Sequence, residues 1–188
     1  GAKTAVGFDN GHAITQAVEH LYGLGHRHFA MIAGRTRGND RQRSRVAAFH
    51  DCLASHGLAG AWPVIEKPYA FVDGADALEE IRRLHPRTTA IVCSSDILAV
   101  GALHACKAAG ISVPADLSVT GFDDLEFAAF TEPPLTTLSI SAHEMGRLAG
   151  ERLAAALDQG EDLRPECLPT RLVLRGSTAV PRKRADLP

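Results

Sequence analysis

Residues 117–137 read LSVTGFDDLEFAAFTEPPLTT, and the fold turns on this stretch. Leu117 to Phe122 has the length and β-branched content of a buried strand, and it runs directly into two carboxylates, Asp123 and Asp124. An aromatic turn with Phe127 and Phe130 follows, then the rigid Pro133-Pro134 and the pair Thr136-Thr137. Charge at the carboxyl end of a buried strand lies where an open α/β sheet places its ligand. The same two residues also suit the plainer role of capping the turn after a strand. Deciding between these roles requires knowing whether other strand ends point to the same place.

Immediately upstream, Thr89–Cys93 reads as a strand, Ser94-Ser95-Asp96 as a turn and cap, and 97–109 as a helix with Val100 and Leu103 on one face. The pattern extends back to the start. Thr4–Phe8 is a short strand, and 13–23 carries Ile14, Ala17, Val18 and Leu21 at helical spacing. Phe29–Ala33 is a strand, followed after a polar loop by a helix bearing Val46, Phe49 and Leu53. Pro63–Glu66 is a strand, and Asp73 is placed to cap a helix bearing Ala77, Leu78, Ile81 and Leu84. Downstream, Thr137–Ile140 is extended, and Ser141 with Glu144 has capping-box spacing. The helix it opens carries Met145, Leu148, Leu153 and Leu157, and Asp158-Gln-Gly160 ends it. Arg171–Leu174 is a last strand, and Arg182-Lys-Arg184 a solvated tail. Strands alternating with helices of this length imply right-handed βαβ units and an α/β fold with a mostly parallel sheet.

At 188 residues and 45% hydrophobic the chain can bury a substantial core. A net charge of −2 argues against gripping nucleic acid by itself. No apolar run approaches membrane-spanning length, and the first residues lack a signal-peptide pattern. Cys52, Cys93, Cys106 and Cys167 are isolated, which favours reduced, mostly buried thiols in a cytoplasmic protein over a metal site. His26-Arg27-His28 stands at the entrance to a strand and reads as surface.

In a parallel sheet the loops after successive strands share one edge. That edge gathers Asn39, Arg41 and Arg45 after the strand at 29–33, Tyr69 and Phe71 after 63–66, Ser94, Ser95 and Asp96 after 89–93, and Asp123 with Asp124. An arginine fork, an aromatic face and a carboxylate suit a small polyhydroxylated or heterocyclic ligand. Each residue also has a structural role open to it: helix surface for Arg45, rim for Tyr69, N-cap for Asp96. No catalytic or phosphate-cradling motif is present, and no cofactor is implied. Asp123, Asp124 and Glu126 leave a Mg²⁺-dependent enzyme as a remote alternative.

The ordered motifs resemble the effector-binding core of lactose-repressor-type (LacI/GalR family) transcription regulators. They run LGHR at 24–27 before FAMIAG at 29–34, RVAAF at 45–49, SDILAVGAL at 95–103 and GFDD at 121–124. PPLTT at 133–137, EMG at 144–146 and LVLRGST at 172–178 complete the series. The resemblance implies a type I periplasmic-binding-protein fold, with an effector held between two Rossmann-like subdomains. It makes Arg45 the residue that clamps effector hydroxyls or a carboxylate, Asp123 the acceptor, and Tyr69 the stacking aromatic. Asn39, Arg41 and Ser95 fall where residues vary with effector. Ser95 stands where sugar-responsive members often carry asparagine, and Ala48 replaces a usual glycine.

By this resemblance, 1–9 is the last strand of an N-terminal subdomain and 10–138 the C-terminal effector subdomain. Residues 139–168 are a segment returning to the first subdomain, 169–178 the final strand, and 179–188 a tail. DNA contact would belong to a helix-turn-helix domain that these residues do not include. A homodimer is implied through Val100, Leu103, Phe127 and Phe130, with Val100, Leu103 and Phe130 exposed. The effector would be a sugar, sugar acid or nucleobase-like metabolite. A solute-binding protein of a sugar transport system is the alternative on the same fold.

Overall fold

The computed structural model describes residues 6–58, 60, 62–159 and 165–182. The expectations for Thr4, Ala5, Gly160, Lys183 and Arg184 lie outside them. Among the described residues the strands form two sheets. The larger has the order β3 (Val64–Lys67), β2 (Phe29–Gly34), β4 (Ala90–Cys93), β5 (Ser118–Asp123), β6 (Thr136–Ile140) and β8 (Thr170–Val173). Its first five strands are parallel, and β8 runs antiparallel to β6. The smaller pairs β1 (Val6–Phe8) with β7 (Glu166–Leu168) in parallel.

Side chains alternate across the larger sheet, as the two-residue period of a strand requires. Ala30, Ile32, Ile91, Cys93 and Val119 face helices α3 (Phe71–Leu84) and α4 (Asp96–Ala108) through Leu78, Ile81, Leu98 and Ala102. Phe29, Met31, Ala33, Val92, Phe122 and Leu138 face α1 (Asn10–Gly23) and α2 (Asp40–Ser55) through Ile14, Val18, Phe49 and Leu53. Both faces are covered, so the strands read as continuous apolar runs. The chain leaves β2 for α2 on one face and β4 for α4 on the other. The loops after these neighbouring strands therefore diverge, which opens a crevice at their carboxyl ends.

Each of these helices starts at that edge on a side-chain or backbone device. Asp9 caps α1 by accepting from the His12 amide at 2.9 Å, and Asn39 caps α2 by accepting from Gln42 at 3.2 Å. Ser95, not Asp96, caps α4, accepting from the Ile97 amide at 3.2 Å. Asp73 lies inside α3 and reaches back to the Ala70 amide at 3.1 Å, so the N-cap itself is Ala70. Helix α5 (Ala142–Gln159) packs chiefly on β1 and leaves Leu153 and Leu157 exposed.

Two surface expectations are corrected. His26 is buried: its Nε2 reaches the Ala179 carbonyl at 2.9 Å and the Ser118 hydroxyl at 3.1 Å, and its Nδ1 meets the Thr89 hydroxyl at 2.9 Å. Both ring nitrogens have partners, which is what makes an interior imidazole tolerable. Leu103 belongs to the core because α4 packs both on the sheet and along its neighbour α3; Phe130 is 82% exposed, as expected, and Val100 is half-buried. Arg182 is exposed, as expected, and makes a surface ion pair with Asp116 at 2.6 Å.

Candidate functional site

Arg45, one turn into α2, points back over the carboxyl edge of the sheet and is 7% exposed. Its Nε donates to Asn10 Oδ1 at 2.8 Å, and one terminal nitrogen donates to the Ser94 carbonyl at 2.7 Å. The guanidinium carbon lies 3.6 Å from the centroid of the Phe122 ring. Burial works against the charge and Asp123 supports it. An arginine does not shed its proton, so the site holds a fixed, largely desolvated cation.

Asp123 is the last residue of β5, with φ of 110°, a conformation that a non-glycine residue holds only when its surroundings enforce it. Burial pushes its carboxyl up to about 6; Asp96 adds to the rise, while Arg45 and a hydrogen bond from Ser95 oppose it. At neutral pH it is mostly ionised, and it is half-buried, so part of its surface stays open to the crevice. A ligand hydroxyl or ring N–H can donate to it there.

Tyr69 forms the third wall. Its ring crosses β2 so closely that a Cβ on Gly34 would come within 2.1 Å of the phenol oxygen. The hydroxyl reaches the Ser94 and Gln42 side chains, burial raises its pKa, and the residue stays 46% exposed. The same two side chains accept from the Gly34 amide, at 3.0 and 3.1 Å.

The structure thus brings Arg45, Asp123, Tyr69 and Ser95 together. Asn39 serves as the α2 cap, and Arg41 is exposed on the rim, close enough to disfavour the Arg45 charge. Asn10, Gln42 and Phe122 join the site beyond the residues to which the sequence points. Only Asn10 carried a sequence signal, as a polar residue directly after a strand.

Asp124 is more than a turn residue, because it pairs with Arg175 at 2.6 Å while Arg175 also donates to the Leu135 carbonyl at 2.9 Å. Asp96 is likewise committed, accepting from Thr137 Oγ1 at 2.5 Å and the Leu125 amide at 2.7 Å. A Cβ on Gly121 would sit 2.1 Å from Asp96 Oδ1, so only glycine admits this bond. Among the described residues, no ligand-distance cluster includes Asp123, Asp124 and Glu126, and the Mg²⁺ enzyme reading has no geometric support.

A six-stranded, largely parallel sheet with a cation, a carboxylate and an aromatic at its switch point defines the class. The chain belongs to the periplasmic binding protein-like domain family, whose sequence model matches residues 18–178. Its relatives are LacI-family regulators. It is 32% identical over 180 residues to the transcriptional repressor CytR of Escherichia coli, covering 92% of this chain and 51% of the relative. Among solved structures, the regulator GntR from Chromobacterium violaceum superposes with a TM-score of 0.88 at 30% identity, covering 94% of this chain and 65% of that one. A sugar-binding LacI-family regulator from Escherichia coli, complexed with phosphate, gives 0.84 at 29%, covering 93% and 63%. The chain spans about half the length of the curated relatives it matches. These relatives are regulators, which points away from catalysis.

Proposed function

We propose that this chain is the effector-sensing part of a DNA-binding transcriptional repressor and that its ligand is a small polar metabolite, a sugar or sugar derivative. The juxtaposition of Arg45 and Asp123 carries the reading. A buried cation and a half-buried carboxylate face the same crevice, and Tyr69 offers an apolar ring beside them. Donor, acceptor and ring face are what a hydroxylated ring needs on its edge and its flat side. The sugar-binding relative is consistent with this class of ligand.

In this reading β1, β7 and α5 belong to the other subdomain of a two-subdomain fold, and the ligand bridges the two. Closure around it shifts a DNA-binding head, with a coupling free energy of about 1–3 kcal/mol. A second copy packs on the side that carries the half-buried Val100 and Phe127 and the exposed Phe130, where Phe127 meets Phe71 with ring centroids 6.0 Å apart. The proposal is tested with the full-length regulator bound to its operator, by fluorescence anisotropy during titration with sugars and sugar acids. One class of these should change operator affinity about five- to 150-fold, and Asp123→Asn should abolish the response while leaving ligand-free DNA binding intact. An unchanged response in that variant would overturn it.

A further inference from the structure

The α1–α2 pair carries a second cluster at the end away from the crevice. Cys52 and His56 are four residues apart at the close of α2, and Glu19 lies opposite on α1, nine residues or about 13 Å of helix beyond Asn10. We propose that Glu19, Cys52 and His56 form a binding site for one divalent cation of borderline softness, of which Zn²⁺ is the natural probe.

Three features of the geometry support it. The carboxylate, thiol and imidazole ligand atoms all lie within 4.8 Å of one another. His56 Nε2 stands 2.9 Å from Glu19 Oε2, and Cys52 Sγ stands 3.6 Å from Glu19 Oε1. Tetrahedral zinc, with bonds of about 2.3 Å to sulfur and about 2.0–2.1 Å to nitrogen or oxygen, needs ligand atoms about 3.3–3.6 Å apart. Small side-chain rotations would bring the trio to those spacings.

His56 Nε2 is also buried and makes no hydrogen bond, because its approach to Glu19 is at ion-pair distance without hydrogen-bond geometry. An interior imidazole nitrogen left in this way has a lone pair or a proton to place. The ring plane is fixed from behind: Tyr22 stacks on it at 3.8 Å and 15°, and Arg27 lies 3.9 Å over Tyr22. Such backing orients a ligating histidine as an outer shell does in known metal sites.

Without a cation the thiol donates to Glu19. Binding replaces that proton with the metal, releases it to solvent and therefore tightens as pH rises. Three protein ligands leave a fourth position for water, and the half-exposed Glu19 provides the way in.

The test uses chelator-treated, reduced protein titrated with Co²⁺ and then Zn²⁺. The expected result is one equivalent of Co²⁺ with thiolate-to-cobalt charge-transfer absorption, which Zn²⁺ removes by displacement. Cys52→Ser and His56→Gln should each weaken Zn²⁺ binding about tenfold or more and abolish its thermal stabilisation, with circular dichroism reporting that both variants fold. Cys167→Ser, at an exposed thiol away from the cluster, should bind as the parent does. Absence of saturable binding, or a charge-transfer band that persists in Cys52→Ser, overturns the proposal.

Discussion

The Arg45 guanidinium rests on the face of the Phe122 ring, and the residue after Phe122 is the carboxylate that balances its charge. One strand end thus supplies both the apolar platform and the counter-ion for a cation delivered by the helix after another strand. Arg45 is held in place before any ligand arrives, so little side-chain entropy remains to be lost on binding.

Arg45→Ala should cost stability as well as binding. It strips Asn10 Oδ1 and the Ser94 carbonyl of donors and leaves the half-buried Asp123 without its cation. Chemical denaturation should show a loss of about 2–4 kcal/mol. Arg45→Lys keeps the charge but cannot satisfy both acceptors from a planar fork, and should recover only part of that loss.

Asp123→Asn should do the opposite. The carboxyl has a folded value of about 6, above the ordinary aspartate value of 3.8. Between these pH values the folded chain keeps a proton that the unfolded chain has released, so stability falls as pH rises from about 4 through 6. Removing the charge should raise stability at pH 7 by about 2 kcal/mol, an advantage that vanishes near pH 4. Melting curves across that range check it.

His26 imposes the reverse dependence. Burial lowers its pKa, so the neutral ring belongs to the folded state. Its stabilisation is complete above the ordinary value of 6.5 and is lost as pH falls through the lowered folded value. His26→Ala should cost about 2–4 kcal/mol at pH 7.5 by orphaning the Thr89, Ser118 and Ala179 groups, and the gap to the parent should narrow in acid.

Gly121→Ala should be among the most damaging single-methyl changes in the chain. The added carbon meets Asp96 Oδ1 and the Leu135 side chain, so either the Asp96–Thr137 bond or the β5–β6 register must yield. A loss of about 2–3 kcal/mol is expected by denaturant titration, and Asp96→Asn combined with it should be less than additive.

Much of this was legible because period and punctuation agree. The apolar runs at 29–33, 89–93 and 117–122 could only be buried parallel strands once helical spacing was found between them. Their carboxyl ends then located Arg45, Tyr69, Ser95 and Asp123 on one edge. The misses were contacts made across long sequence separations. The β1–β7 pairing joins three-residue strands about 160 residues apart, too short to show a period. α4 is apolar nearly all round, so no face distinguished the buried Leu103 from an exposed position. His26 looked like surface because its partners, Thr89, Ser118 and Ala179, are distant in the chain. Cys52 looked isolated because Glu19 approaches it only through helix packing.

The central claim is that Arg45 and Asp123 jointly hold the effector, and isothermal titration calorimetry on the full-length regulator tests it most directly. The titrants would be sugars, sugar acids and nucleobases, and the proteins the parent, Arg45→Ala and Asp123→Asn. The account predicts a ligand that binds the parent and loses about a hundredfold or more in affinity in both variants, although one variant is less stable than the parent and the other more stable. Undiminished binding of that ligand to Asp123→Asn and Arg45→Ala would contradict it.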